Sequence, residues 1–157
     1  MTRVRKILAP TDFSDLSTVG IRYALEMARD ISAEVIVYHA IDFGEYWTNS
    51  PSKIPPYQTD MLQDRRRLLD RFLAVHFADC INLVEVRQVV EFGTPYKKIV
   101  EAAATEGVDL IVISTHGRTG IDHWILGSVA EKIVARAPCP VLVIPRHEGW
   151  ATTAHAA

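Results

Sequence analysis

The order of apolar segments predicts an α/β fold with a doubly wound parallel sheet. Five short apolar runs alternate with segments of helical periodicity, giving βαβαβαβαβ. Runs two, four and five are almost continuously apolar, as strands covered by helices on both faces are. A glycine-bearing loop follows the fourth run and Pro10-Thr11-Asp12 follows the first. A Rossmann-like sheet of five strands in the order 3-2-1-4-5, with helices on both faces, would set those two loops side by side. That is where the winding reverses and where ligands bind in such sheets.

Residues 4–9 form a partly apolar run stopped by Pro10, a strand buried at Ile7-Leu8-Ala9. Ser14 offers an N-cap and Asp15 suits the positive end of a helix that reaches about Ile31. Gly20, Ala24 and Ala28 recur every four residues and allow this helix to pack closely on the sheet. Residues 34–41 are the second strand. Residues 43–58 hold Pro51, Pro55 and Pro56 among Phe43, Tyr46, Trp47 and Tyr57, and read as a flexible insertion loop. It starts at the correct end of the sheet for a lid or a docking surface.

The second helix is expected over 59–78, with Leu62, Leu69, Phe72, Leu73, His76 and Phe77 as its apolar face. Residues 83–91 alternate, which suits an edge strand. Gly93-Thr94-Pro95 opens a third helix, with Thr94 as cap and Pro95 at the first helical position. Ile99, Val100 and Ala103 face inward and Gly107 ends it. Residues 110–113 are the fourth strand. Ser128 and Glu131 have capping-box spacing for a helix over 129–136, which Ala137-Pro138-Cys139-Pro140 stops. Residues 141–144 form a fifth strand at an edge, ended by Pro145. Residues 1–146 are thus read as one domain, and 147–157 as a disordered tail.

Composition narrows the function. A chain of 157 residues with 48% apolar content can bury a real core. A net charge of -2 argues against a general nucleic-acid binder. No stretch approaches the ~20 apolar residues of a membrane helix, so no membrane association is expected. Two cysteines, Cys80 and Cys139, without CxxC or paired Cys/His spacing, give no zinc pattern and suit a reducing cytoplasm. His39 reads as a core or edge histidine and His76 as structural. His116 and His123 stand seven apart, which is no metal spacing.

The stretch Ser114-Thr115-His116-Gly117-Arg118-Thr119-Gly120, with Gly127-Ser128 beyond it, lies between a strand and a helix start. Glycines let backbone approach an anion, and a helix start offers free N–H groups and a positive dipole end. Arg118 and His116 can add charge-assisted bonds. There is no P-loop, G-x-S-x-G elbow or H-E-x-x-H motif, and no evident nucleophile–base pair. A binding protein fits better than an efficient enzyme, with slow ATP hydrolysis or phosphotransfer as the alternative.

Three segments carry a family resemblance: Ile7-Leu8-Ala9-Pro10-Thr11-Asp12-Phe13-Ser14, Gly117 through Ile133, and Ala137-Pro138-Cys139-Pro140-Val141-Leu142-Val143-Ile144. With these the chain resembles the universal stress proteins, from Val4 to Ile144. The nucleotide-binding branch of that family carries G-x2-G-x9-G-[ST]. Gly117, the nine residues 118–126, and Gly127-Ser128 match it, and Ser114 replaces the first glycine. The resemblance implies ATP, with or without Mg²⁺, as ligand. Pro10, Thr11 and Asp12 would line the adenosine side and Ala40 would present backbone to the base. Ser114, Thr115, His116, Gly117, Arg118, Thr119 and Gly120 would wrap ribose and phosphates. Gly127, Ser128 and Val129 would hold phosphates. It also implies a homodimer joined through strand 141–144 and a role in stress response. The alternative left open by Ser114 is a dimeric interaction module that no longer binds nucleotide.

Overall fold

The computed structural model describes residues 3–42, 58–115 and 126–145. Its elements are β1 (Lys6–Pro10), α1 (Asp15–Ile31), β2 (Glu34–Ile41), α2 (Gln58–His76), β3 (Glu85–Phe92), α3 (Pro95–Thr105), β4 (Leu110–Thr115), α4 (Ser128–Arg136) and β5 (Val141–Pro145). A 3₁₀ turn, Ile81–Leu83, links α2 to β3. The five strands form one sheet in the order β3-β2-β1-β4-β5, with every pair parallel. The predicted fold class and strand order are therefore observed. The expected loop at 43–58 and tail at 147–157 lie outside the described residues, apart from Gln58, which starts α2.

Alternation along the central strands builds two cores. Ile7, Ala9, Val35, Val37 and Val112 face α1 and α2, where Ala24, Leu25, Leu69 and Leu73 meet them. Leu8, Ile36, Tyr38, Ile111 and Ile113 face the other way, onto Ile99 and Ala103 of α3 and Ala130 and Ile133 of α4. Gly20 packs directly on β4: a Cβ added there would meet Ser114 Oγ at 2.6 Å and Ser114 N at 3.1 Å. The small residues on α1 thus serve the close helix–sheet approach that their spacing suggests.

Polar groups pin the end of the sheet where the strands begin. Arg87 Nε donates to Glu34 (3.0 Å) and its Nη2 to Glu106 (2.6 Å), which joins β3, β2 and the end of α3. The Asp109 carboxylate accepts from the N–H groups of Arg5 (2.9 Å) and Lys6 (3.1 Å). The opposite end is looser. β1 pairs with β2 over five positions but with β4 over only two, Ile7↔Leu110 and Leu8↔Ile111. The two central strands therefore part toward their carboxyl ends, and a crevice opens at the switch point.

Several local expectations need correction. β4 runs on through Ser114 and Thr115, which are strand residues paired with Ile144 and Pro145 rather than loop residues. β1 extends to Pro10, which pairs with Tyr38 on the β2 side beyond the last β4 partner, so its missing N–H opens no β1–β4 bond. Helix α4 begins one residue early. Gly127 is the N-cap, extended at φ -57° and ψ 152°, and Ser128 is already helical, so no capping box forms. Thr94 caps α3 by position, but its hydroxyl makes no cap bond. Val100 is only half-buried, and His76 is exposed, with its ring against Phe72 at 4.7 Å.

Candidate functional site

The crevice is a cavity of about 310 Å³, at the lower end of the ~300–1,000 Å³ of small-molecule sites. Its wall begins at Tyr38 and Ala40 on β2, crosses Pro10–Asp12 at the end of β1 and Ile113–Thr115 at the end of β4, and reaches Gly127–Ala130. Pro95 and Ile99 of α3 close the β2 side. Pro10, Thr11, Asp12, Ala40, Ser114, Thr115, Gly127, Ser128 and Val129 are thereby brought together as the sequence suggests. His116, Gly117, Arg118, Thr119 and Gly120 lie outside the described residues.

The start of α4 supplies the strongest electrostatic feature. Its first intrahelical bond is Glu131 N–H to the Gly127 carbonyl, 2.9 Å. The N–H groups of Gly127, Ser128, Val129 and Ala130 precede that bond and have no partner within the helix, and all four residues line the cavity. The aligned peptide dipoles add positive potential there. The start of α1 behaves differently although Ser14 also lines the cavity. Ser14 Oγ accepts from Ser17 N–H (3.2 Å), Asp12 accepts from Ser14 N–H (3.0 Å), and Asp15 adds negative charge. An anion therefore meets an open helix end at α4 and a closed, acidic one at α1.

The wall after β1 is rigid. Thr11 N–H donates to the Tyr38 carbonyl (2.8 Å), and its hydroxyl shares a 2.8 Å bond with Ser17 Oγ while accepting from Phe13 N–H (3.0 Å). Its carbonyl meets His39 Nδ1 at 2.8 Å. Phe13 sits at φ 64°, a left-handed conformation uncommon for a bulky residue, with its ring 4.3 Å from that of His39. Burial pushes the His39 pKa down, against the opposing pull of the Thr11 carbonyl. His39 is thus a satisfied core histidine, as its place in an apolar strand suggests.

Ser114 occupies the position where the motif has glycine. By strand alternation its side chain leaves the sheet on the α1 face, one residue out of phase with Ile113 and Thr115. Its Oγ accepts the Gly20 N–H at 2.7 Å. Ser114 is not among the residues at positive φ, so its backbone makes no demand for glycine. The hydroxyl is held by the Gly20 N–H, while Ser114 remains part of the crevice wall.

Tyr38, Pro95, Ile99 and Ile113 are lining residues that motif reading missed. Tyr38 was within reach, because it stands two residues before Ala40 on the same strand. Its hydroxyl donates to Glu91 Oε2 at 2.6 Å, and burial, then that bond, keeps the phenol far from ionising. Pro95 and Ile99 reach the site only because α3 crosses over β2, which no local signal announces. Among the described residues no group of three or more His, Cys, Asp or Glu side chains could hold a metal ion. Among them, too, no helix is long and apolar enough to cross a membrane.

Known proteins share this sequence pattern and this fold. A universal stress protein of Methanothermobacter thermautotrophicus is 32% identical over 141 residues, covering 89% of this chain and 94% of its own. The structure of universal stress protein UspA from Lactobacillus plantarum superposes with a TM-score of 0.66 at 25% identity, covering 92% of this chain and 99% of that one. Two further structures share the fold. One is a universal stress protein in complex with cAMP (TM-score 0.60, 24% identity, 91% and 98% coverage). The other is the Archaeoglobus fulgidus universal stress protein in complex with dAMP (TM-score 0.60, 22% identity, 91% and 99% coverage). The model of the universal stress protein family matches residues 3–145. The chain belongs to the universal stress protein family.

Proposed function

We propose that this protein binds an adenine nucleotide, ATP foremost, in the crevice between β1 and β4, and acts through it as a stress-response regulator. The observation that carries this reading is the open start of α4, whose first four residues line the cavity wall and whose N–H groups have no partner within the helix. The apolar side formed by Tyr38, Ala40, Pro95 and Ile99 suits a flat base. The complexes of relatives with cAMP and dAMP support an adenine nucleotide as the ligand class. The engagement of Ser114 by Gly20 supports retained binding, since it removes the steric argument against it.

The described lining holds one carboxylate, Asp12, which accepts bonds from Ser14. Mg²⁺ favours phosphate oxygens and water with one or two carboxylates, so it fits here as a companion of a triphosphate with Asp12 as the one protein carboxylate in reach. The proposed homodimer would form at β5, whose Val141, Leu142 and Val143 are only half-buried at the sheet edge. Light scattering on the purified protein reads that state directly. Mass spectrometry of ligand released from freshly purified protein, followed by calorimetry with ATP, AMP and cAMP, tests the nucleotide. Tightest binding of ATP is expected. Empty protein that binds none of the three rejects the reading in favour of an interaction module.

A further inference from the structure

Helices α3 and α4 border the crevice from two sides, Pro95 and Ile99 on one and residues 127–130 on the other. One aromatic ring joins the two helices close to those starts. Lys132 Nζ lies 5.0 Å and Arg136 Cζ 5.4 Å from the centroid of the Tyr96 ring. Two cations thus share one ring. They also stand four apart on α4, where like charges repel. The positions that could supply a carboxylate to Lys132 along the helix hold Ser128, Val129, Ala135 and Arg136. Among the described residues neither cation forms an ion pair.

The place of Lys132 says what it can reach. A helical side chain tilts toward the helix N-terminus and covers the turn before it. For Lys132 that turn holds Ser128 and Val129, both of which line the cavity. The ring against its ammonium group belongs to the residue after Pro95, which also lines the cavity. Lys132 therefore stands at the rim where the two helix starts meet, exposed and on a flexible stem. Arg136 is one turn farther from that rim.

Resting on the nucleotide reading above, we propose that Lys132 is a specificity-determining residue, whose ammonium group leaves Tyr96 to bond the terminal phosphates and so makes the site prefer ATP over AMP. The exchange is favourable. An exposed cation–π contact is weak, whereas a bond from an ammonium group to phosphate is charge-assisted. Arg136 keeps the ring when Lys132 leaves, so the link between α3 and α4 survives. The backbone N–H groups at the start of α4 suit any anion and do not count phosphates. Nor does the fold fix their number, because relatives that share it are complexed with cAMP and with dAMP, each a monophosphate. A side chain must supply the preference, and Lys132 stands at the rim to do so.

The test uses ATP, ADP and AMP, titrated by calorimetry into wild type, Lys132→Met, Lys132→Arg and Arg136→Met. Methionine keeps an unbranched stem and removes the charge; arginine keeps the charge. Wild type should bind ATP at least about tenfold more tightly than AMP. Lys132→Met should lose about tenfold in ATP affinity, the scale of one hydrogen bond to a charged group, and bind AMP as wild type does. Lys132→Arg should keep most of the preference and Arg136→Met all of it. Equal ATP affinity in wild type and Lys132→Met overturns the inference and leaves the nucleotide site standing. Equal losses for ATP and AMP do the same, because they mark Lys132 as a packing residue between α3 and α4. Wild type that binds AMP as tightly as ATP also overturns it. Wild type that binds none of the three rejects the nucleotide reading itself, and the inference with it.

Discussion

The contact between Gly20 and Ser114 can be tested by substitution. In Gly20→Ala the new methyl would sit 2.6 Å from Ser114 Oγ and 3.1 Å from Ser114 N. Overpacking of this kind costs about 1–3 kcal/mol. Alanine in a helix interior returns roughly 0.5–1 kcal/mol relative to glycine. The net expectation is destabilisation of about 1 kcal/mol, together with loss of the 2.7 Å bond geometry from Gly20 N–H to Ser114. Ser114→Gly alone removes that bond and places glycine in a central strand, for about 1–2 kcal/mol of destabilisation. In the double variant the hydroxyl is gone, and the methyl introduced by Gly20→Ala can occupy part of its space. The double variant should therefore be more stable than the sum of the single changes predicts, by about 1–2 kcal/mol. Urea unfolding of the four proteins, with unchanged m-values, measures that coupling. Additivity within about 0.5 kcal/mol would mean that the two residues do not contend for the same space. The same variants address the site. Ser114→Gly should change ATP affinity by less than about threefold, because less than one hydrogen bond's worth of energy is at stake. A tenfold gain would show that the serine does obstruct the crevice.

Other expectations concern the shell around the site. The lowered pKa of His39 means that the unfolded chain takes up its proton first as the pH falls. Its contribution is complete above about pH 6.5 and is lost as the pH drops below that through the lower folded value. Arg65 works against the charged form and Asp12 for it. The drop in urea midpoint between about pH 7.5 and about pH 5.5 should be smaller in His39→Asn than in wild type; an equal drop in both assigns the effect elsewhere. Gly93 stands at φ 145°, and a methyl added there would meet Lys98 Cγ at 2.7 Å, so Gly93→Ala should lower stability by more than about 1 kcal/mol in thermal or urea unfolding. A neutral result there would refute the backbone assignment. Tyr38→Phe removes the bond to Glu91 and leaves a carboxylate that water can reach, so urea unfolding should show a loss of only about 1 kcal/mol.

Periodicity and turn chemistry carried the fold. The continuous apolar runs gave parallel strands, buried at β2 and β4 but only half-buried at the edge strand β5, the alternation at Val84, Val86 and Val90 gave an edge, and Pro95 and Gly107 bracketed α3 where they were expected. Those signals are local, so they survive without tertiary information. The errors fall where tertiary contact decides. Ser114 and Thr115 look like loop residues beside His116-Gly117, yet pairing with Ile144 and Pro145 draws them into β4. Ser128 has the spacing of a cap, but the chain enters α4 through an extended Gly127, and the serine becomes the first helical residue. His76 matches the apolar period of α2 but lies beyond the edge of the core. The site shows the same division. Motif residues on strand ends were legible, whereas Tyr38, Pro95 and Ile99 belong to it through the crossover of α3. The role of Ser114 was open in the sequence because no local pattern links it to Gly20, 94 residues earlier.

Gly127→Val tests nucleotide binding at the start of α4 most directly. Among the described residues a Cβ at Gly127 meets nothing within 4 Å, and φ -57° is open to any residue, so valine should fold with a penalty of only about 1 kcal/mol as a poorer N-cap. The space it fills is cavity wall beside the four N–H groups that have no partner within the helix. Calorimetric titration of ATP into wild type and Gly127→Val, with urea unfolding of both, should show binding by wild type and at least a tenfold loss in a variant that is still folded. Equal ATP affinity in the two folded proteins would contradict the assignment of phosphate binding to the start of α4.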